Sequence, residues 1–284
     1  MSNSPNNCIN VCYCGNDKVF PLILLSVLSI TEHTAAPVNI YLLTMDLTDL
    51  DARFAPISTN RAQLLEKVLR EKNPGSCVTL LDGREAFFHR LYGGKNDKNS
   101  YTPYAMGRLL LSEFDLPARM LYLDSDVMCC SDLEEVFRID LEPYEFAAAL
   151  DVMGKFWINR RYCNSGVMYL NLERMKKTGL LERCCEYLRA HKLAFPDQSA
   201  LNRLVENKLI LPPKFNEQRK IKGDTVLKHF CRGIKWLPFF HVYNIKQSEV
   251  NKVHKKLKIV AFDGVYRAYE ALARAEGLPL LGLE

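Results

Sequence analysis

The sequence predicts an α/β fold built on one Rossmann-like, mixed sheet flanked by helices. Two observations carry that expectation. Strand and helix patterns alternate through the first 82 residues, and two acids separated by one residue follow directly on an apolar strand near the middle of the chain. Strand–helix–strand order calls for parallel pairing with right-handed crossovers. Ligands of such sheets sit outside the carboxyl ends of the strands.

The elements follow in order. Ile9–Cys14 (INVCYC) has a buried-strand pattern and ends in the turn cluster Gly15-Asn16-Asp17. An apolar helical run, Val19–Ile30, fades out near Glu32-His33-Thr34, and VNIYLLT (Val38–Thr44) is the second strand. Asn60–Lys72 reads as a helix stopped by Asn73-Pro74-Gly75, and Val78–Asp82 as a third strand. This half has the form of a nucleotide-binding sheet, which puts Asn16 and Asp17 at the ligand end of the first strand. After a Gly/Asn/Lys-rich loop, Thr102-Pro103 opens a helix carrying Arg108. Arg119–Leu123, Glu145–Leu150 and Gly166–Leu172 read as strands, and Glu173–His191 and Gln198–Lys208 as helices.

The bulk numbers narrow the class. A chain of 284 residues, 48% hydrophobic and 25% charged, can bury one large globular core. No segment approaches the roughly 18 consecutive apolar residues of a membrane span, and no signal peptide is evident. The ten cysteines show no CxxC spacing, and adjacent pairs such as Cys129-Cys130 suit a reducing compartment. A cytoplasmic protein is expected. Much of the net charge of +5 lies in KQSEVNKVHKKLK, Lys246–Lys258. That stretch reads either as a solvated helix face or as a patch for peripheral contact with anionic lipid at an inner membrane, with Phe239-Phe240 beside it. Nucleic-acid motifs are absent, as are phosphate-loop, dinucleotide and nucleophile-elbow signatures.

Four stretches carry chemistry. In LYLDSDVMCCSDL, Asp124 and Asp126 follow an apolar strand and can share one hard cation, Mn²⁺ or Mg²⁺, that keeps positions open for phosphate oxygens. In YCNSGVMYLNL, Asn164 and Ser165 offer short polar side chains, and Gly166 lets the backbone approach a ligand closely. In FPDQSALN, Asp197 is expected in the cap position of a helix, with Gln198 at the same mouth. In KHFCRGIKW, His229 can ligate a metal and Lys235 can hold a diphosphate.

Together, and in this order, these stretches resemble glycosyltransferase family 8, the retaining family of bacterial lipopolysaccharide glucosyl- and galactosyltransferases and of glycogenin. The likeness runs from about Ile9 to Trp236: NVCYCGNDKVF, RLLLSEF, YLDSDV, NSGVMYLNL, DQSALN, then HF with a lysine six residues after the histidine. It implies a GT-A fold over residues 8–240; the polar start at 1–7 reads as a flexible tail and 241–284 as a basic, helical extension. It implies a metal set of Asp124, Asp126 and His229. The donor set it implies is Cys14, Asn16, Asp17, Arg108, Asp124, Ser125, Asn164, Ser165, Gly233 and Lys235. Gln198, Asp197 and Asp151 would stand at the reacting carbon, where retention needs either a carboxylate nucleophile or front-side attack. Val19 stands where members often carry an aromatic residue. Gly233 lies one position beyond its usual spacing from the histidine, and the proline after Lys235 is missing, so His241 is a second candidate ligand. The implied partners are a UDP-hexose donor and a glycan or glycolipid acceptor, with a homodimer as a further implication. A self-glycosylating primer protein and a non-catalytic nucleotide-sugar binder are the alternatives.

Overall fold

The structure, a computed structural model, describes residues 8–96, 102–235 and 241–283, apart from the side chains of Ile234, Lys235 and His241. The expected tail at 1–7, Trp236 and the Phe239-Phe240 pair lie outside the described residues.

Strand β1 (Ile9–Cys14) leads through a 3-10 turn at Asp17–Val19 into helix α1 (Phe20–His33). Next come β2 (Val38–Thr44), α2 (Thr59–Lys72), β3 (Cys77–Asp82) and α3 (Arg84–Arg90). A 3-10 segment, Pro103–Glu113, precedes β4 (Arg119–Leu123), β5 (Val127–Cys129) and α4 (Glu134–Phe137). Then follow β6 (Phe146–Ala149), α5 (Gly154–Trp157), β7 (Val167–Asn171), α6 (Leu172–Thr178), α7 (Leu180–Ala190) and α8 (Pro196–Leu204). The chain continues with β8 (Lys208–Leu211), β9 (Leu227–His229), β10 (Gly233–Lys235), β11 (His241–Tyr243), α9 (Val250–Lys252) and α10 (Asp263–Glu276).

Seven strands form the central sheet in the order β3-β2-β1-β4-β7-β6-β8. β1, β2, β3 and β4 run parallel, as the alternating pattern predicts, while β7 is antiparallel to both its neighbours. The sheet is therefore mixed, and it is buried on both faces. One apolar layer joins α1, α2 and α10 to the sheet, and the other joins the 3-10 segment, α6, α7 and α8. Helix α1 is apolar almost all round because it lies in the first layer, and its two buried serines are satisfied. Ser26 Oγ meets Tyr13 Oη at 2.7 Å, and Ser29 Oγ accepts Cys129 N at 2.8 Å. The C-terminal segment belongs to the same layer: Val253, Phe262, Val265 and Tyr269 are all buried in it.

The chain reverses its strand order between β1 and β4, whose carboxyl ends lie side by side. That is the topological switch point at which an α/β sheet holds its ligand.

Three local expectations are corrected. The helix starting at Pro103 is 3-10 rather than α. The helix expected over Glu173–His191 is two helices, broken where Gly179 takes φ +65°. The helix expected to reach Lys208 ends at Leu204, and Lys208 instead opens β8, a strand of this sheet. Gly179 closes α6 as a left-handed cap. A side chain there strains the backbone, so Gly179→Ala is expected to cost about 1 kcal/mol and lower the melting temperature by about 2–4 °C, read by thermal unfolding.

Candidate active site

The site is assembled at the carboxyl edge of the sheet around the turn that ends β4. Asp124, Ser125 and Asp126 form this turn, closed by Val127 N donating to Asp124 O at 3.1 Å. The two carboxylates converge through the turn rather than through extended backbone. A two-stranded ribbon then fixes the histidine: β5 pairs antiparallel with β9, with Val127 opposite His229. Phe230 N donates to Asp126 O at 2.8 Å, locking the ribbon onto the turn.

His229 Nε2 lies 3.2 Å from Asp126 Oδ1 and 3.9 Å from Asp124 Oδ2. Ligand atoms of these three residues all fall within 4.8 Å of one another, so they could hold a metal ion. The other ring nitrogen, Nδ1, donates to Asn216 Oδ1 at 3.1 Å, which fixes the ring so that Nε2 faces the carboxylates. Two carboxylate oxygens and an imidazole suit a divalent cation of intermediate hardness. Gly166 N donates to Asn164 Oδ1, and Gly166 O accepts Asp124 N at 2.8 Å. A Cβ on Gly166 would stand 2.2 Å from His229 Cε1 and 2.8 Å from Asp124 Oδ2. Only glycine lets the start of β7 pass so close beneath these donors.

Arg108 ties this cluster to the opposite wall. Its guanidinium is buried over the Tyr122 ring, 4.2 Å from the centroid. It donates to Asp124 Oδ1 at 2.8 Å and to the Ser165 carbonyl, and its Nε sits 3.1 Å from Asp197 Oδ2, off line for a hydrogen bond. Burial disfavours its charge, but Asp124 and Asp197 more than restore it. Asp197 is not the cap of α8: Phe195 is, and Asp197 lies in the first turn with Ser165 Oγ donating to it at 3.2 Å. Burial raises the Asp197 carboxyl above the usual range against the pull of Arg108, and Asp124 adds to the rise.

The wall continues through amides. Gln198 Oε1 accepts Ser165 N at 3.0 Å, and its Nε2 reaches Asp151 Oδ2 at 3.4 Å. Asn164 Nδ2 donates to the same Asp151 oxygen at 2.9 Å, and Asn216 Nδ2 donates to Asn164 Oδ1 at 2.9 Å. Asp151 Oδ1 accepts Met153 N and Gly154 N at 2.9 and 2.6 Å, starting α5. Nine of the sequence candidates thus form one network: Arg108, Asp124, Asp126, Asp151, Asn164, Ser165, Asp197, Gln198 and His229.

The others stand apart. Asn16 donates to Arg53 O at 3.1 Å, and Asp17 pairs with Arg61 at 2.5 Å. Cys14 lies against Gly107, where a Cβ would meet its Sγ at 3.2 Å. Ser125 contributes its carbonyl, which accepts Gln247 Nε2 at 2.7 Å. Gly233 passes under the Tyr243 ring, 2.3 Å from where its Cβ would be. Lys235 faces His241 across the β10–β11 ladder by backbone pairing, and both side chains lie outside the described ones.

Three partners are missed from sequence. Lys246, within the basic stretch, is ion-paired with Asp126 Oδ2. Burial works to raise the Asp126 carboxyl, but His229 and Lys246 outweigh it and hold it well below the usual range. Gln247 is fully buried between Ser125 and α1, and Asn216 orients the histidine. Nothing in residue type or spacing marks Asn216 or Gln247. Lys246 is hidden in a charge run. Gly166→Ala is expected to weaken divalent-cation binding at least about tenfold with unchanged circular dichroism, measured by calorimetry on the purified chain.

The chain is similar to known glycosyltransferases. The probable glycosyl transferase Gly of Streptococcus gordonii is 31% identical over 120 residues, which is 41% of this chain and 17% of that protein. Lipopolysaccharide 1,2-glucosyltransferase of Escherichia coli is 32% identical over 120 residues, 37% of this chain and 35% of that enzyme. The matched stretches thus span well under two thirds of these relatives. The galactosyltransferase LgtC, solved with donor and acceptor sugar analogs, superposes with a TM-score of 0.68 at 16% identity, covering 93% of this chain and 96% of that one. The likeness shows the GT-A fold. The model of glycosyl transferase family 8 matches residues 10–269, nearly the whole described chain, and the chain therefore belongs to that family.

Proposed function

We propose that the protein transfers a hexose, glucose or galactose, from a UDP-sugar to a glycan or glycolipid acceptor with retention at the anomeric carbon. The observation that carries this reading is the convergence of Asp124, Asp126 and His229 beside Arg108 at the carboxyl ends of β1 and β4. Mn²⁺ or Mg²⁺ held by these three residues would neutralise charge on a departing diphosphate.

Each further residue then has a task set by its contacts. Arg108 keeps Asp124 aimed through its 2.8 Å contact with Oδ1. Asn216 keeps the His229 ring turned. Asn16, Asp17 and Cys14, at the end of β1, border the place of the nucleoside. Lys246 shares Asp126 with the cation and supplies positive charge to the diphosphate, alongside Lys235. Ser165 and Asn164 line the sugar's side of the cleft.

The reacting-carbon set supports front-side transfer over double displacement. Asp197 is committed to Arg108 and Ser165. Asp151 spends one oxygen on α5 and the other on Asn164 and Gln198. Neither presents an uncommitted carboxylate, so both serve as positioning groups around Gln198. The departing phosphate oxygen then accepts the acceptor's proton.

Calorimetric titration of UDP tests the donor assignment. Binding is expected with Mn²⁺, is expected to vanish in EDTA, and is expected to be absent from Asp126→Ala even with the metal present. Heat that is indifferent to both EDTA and Asp126→Ala would sink the metal-bridged donor site. Lys246→Gln is expected to weaken UDP–Mn²⁺ binding roughly five- to tenfold. Wild-type affinity in that variant would remove Lys246 from the diphosphate.

A further inference from the structure

We propose that Phe156, Trp157 and Ile158 form an interfacial anchor that docks the protein on an anionic lipid bilayer. The anchor would present a lipid-borne acceptor to the adjoining Asp151 and Gln198; this second half rests on the function proposed above.

The three residues are consecutive and are exposed to 74%, 72% and 54%. They project from the short helix α5, whose base is rigid. Asp151 Oδ1 holds Met153 N and Gly154 N, and Ile158 N donates to Gly154 O at 2.8 Å. Gly154 lies tight against Tyr162, 2.3 Å from Cδ1 at its Cβ position, and Tyr162 Oη meets Ser199 Oγ at 2.9 Å. An apolar tip held out on a fixed stem is costly in water and gains only where it is covered.

The charge around the tip selects the occupant. From Val152 to Arg161 the chain has three cations and no acid: Lys155 lies 5.1 Å over the Phe156 ring, and Arg160 and Arg161 are exposed. The neighbouring loop is bonded to this one through Gln218, which donates to Leu150 O at 2.9 Å and accepts Val152 N at 3.0 Å. It adds exposed Arg219 and Lys220. An indole and a phenyl ring ringed by cations match the headgroup layer of an anionic leaflet, where aromatic rings sit at the interface and basic groups meet lipid phosphate. The basic stretch near the C-terminus fits less well, because Lys246 and Lys252 are ion-paired with Asp126 and Glu249, and His254 with Asp263.

Co-sedimentation of the full chain with phosphatidylcholine vesicles, with and without phosphatidylglycerol, tests the anchor. Wild type is expected to bind the anionic vesicles at low salt, with Trp157 emission shifted to the blue. Phe156→Ser/Trp157→Ser is expected to lose about tenfold or more of that binding while titrating UDP–Mn²⁺ as wild type does. Lys255→Gln/Lys256→Gln is expected to keep it. The anchor is overturned if wild type ignores the vesicles, if neutral vesicles bind equally, if the Phe156/Trp157 variant binds as wild type, or if the loss follows Lys255 and Lys256. Capture by a soluble polyanion without vesicle binding also overturns it. Vesicle binding as expected with no UDP binding would leave the anchor standing and remove the donor site.

Discussion

A single buried guanidinium holds the two sides of this cleft in register. Arg108 leaves the 3-10 segment, stacks over Tyr122 and meets Asp124, Asp197 and the Ser165 carbonyl at once. Burying a charge is costly unless it is fully compensated, and removing one partner of such a group strands the others. Two acids that would otherwise repel each other therefore sit close together on opposite walls. The 3-10 geometry belongs to the same constraint. It packs against β1 at Gly107 and Cys14, which sets the height at which the next residue enters the sheet edge.

Around that centre the polar groups form a chain of amides rather than a set of separate side chains. Asn216, Asn164 and Gln198 each bridge two functional groups, so the His229 ring, the β7 entry turn and Asp151 are placed relative to one another. Satisfied buried networks of this kind specify one arrangement strongly. Gly166 sits at their crossing, which explains why the last residue before β7 carries no side chain.

Much of this was legible in the sequence. β1, β2 and β4 fall where their apolar runs predict, because central parallel strands are buried on both faces and leave an unbroken pattern. Asp124, Asp126 and His229 could be named because their residue types and order are tied to one chemistry. The reading stopped where long-range packing decides. The three-residue strands β5 and β9 form by pairing with each other over a long stretch of chain, and Lys208 of β8 looks like the end of α8 until β6 is beside it. Lys246 looks like surface charge because its partner lies 120 residues away. Asn216 acts through a ring and an amide that it does not neighbour in sequence.

The cleft is finished by chain that is made late. Asp126 receives Lys246 from 120 residues downstream, and the carbonyl of Ser125 receives Gln247 from 122 residues downstream. At a synthesis rate of about 5–20 residues per second, a ribosome needs roughly 6–24 s to pass from the acids to the lysine. During that interval the parallel strands β1, β2, β3 and β4 can already pair, but the carboxylates at their edge have neither His229 nor Lys246. In the nascent chain Asp124 can already meet Arg108, whereas Asp126 waits for both of its cationic partners. Lys246 and Gln247 thus act as a latch, late-made residues that close onto the turn between β4 and β5.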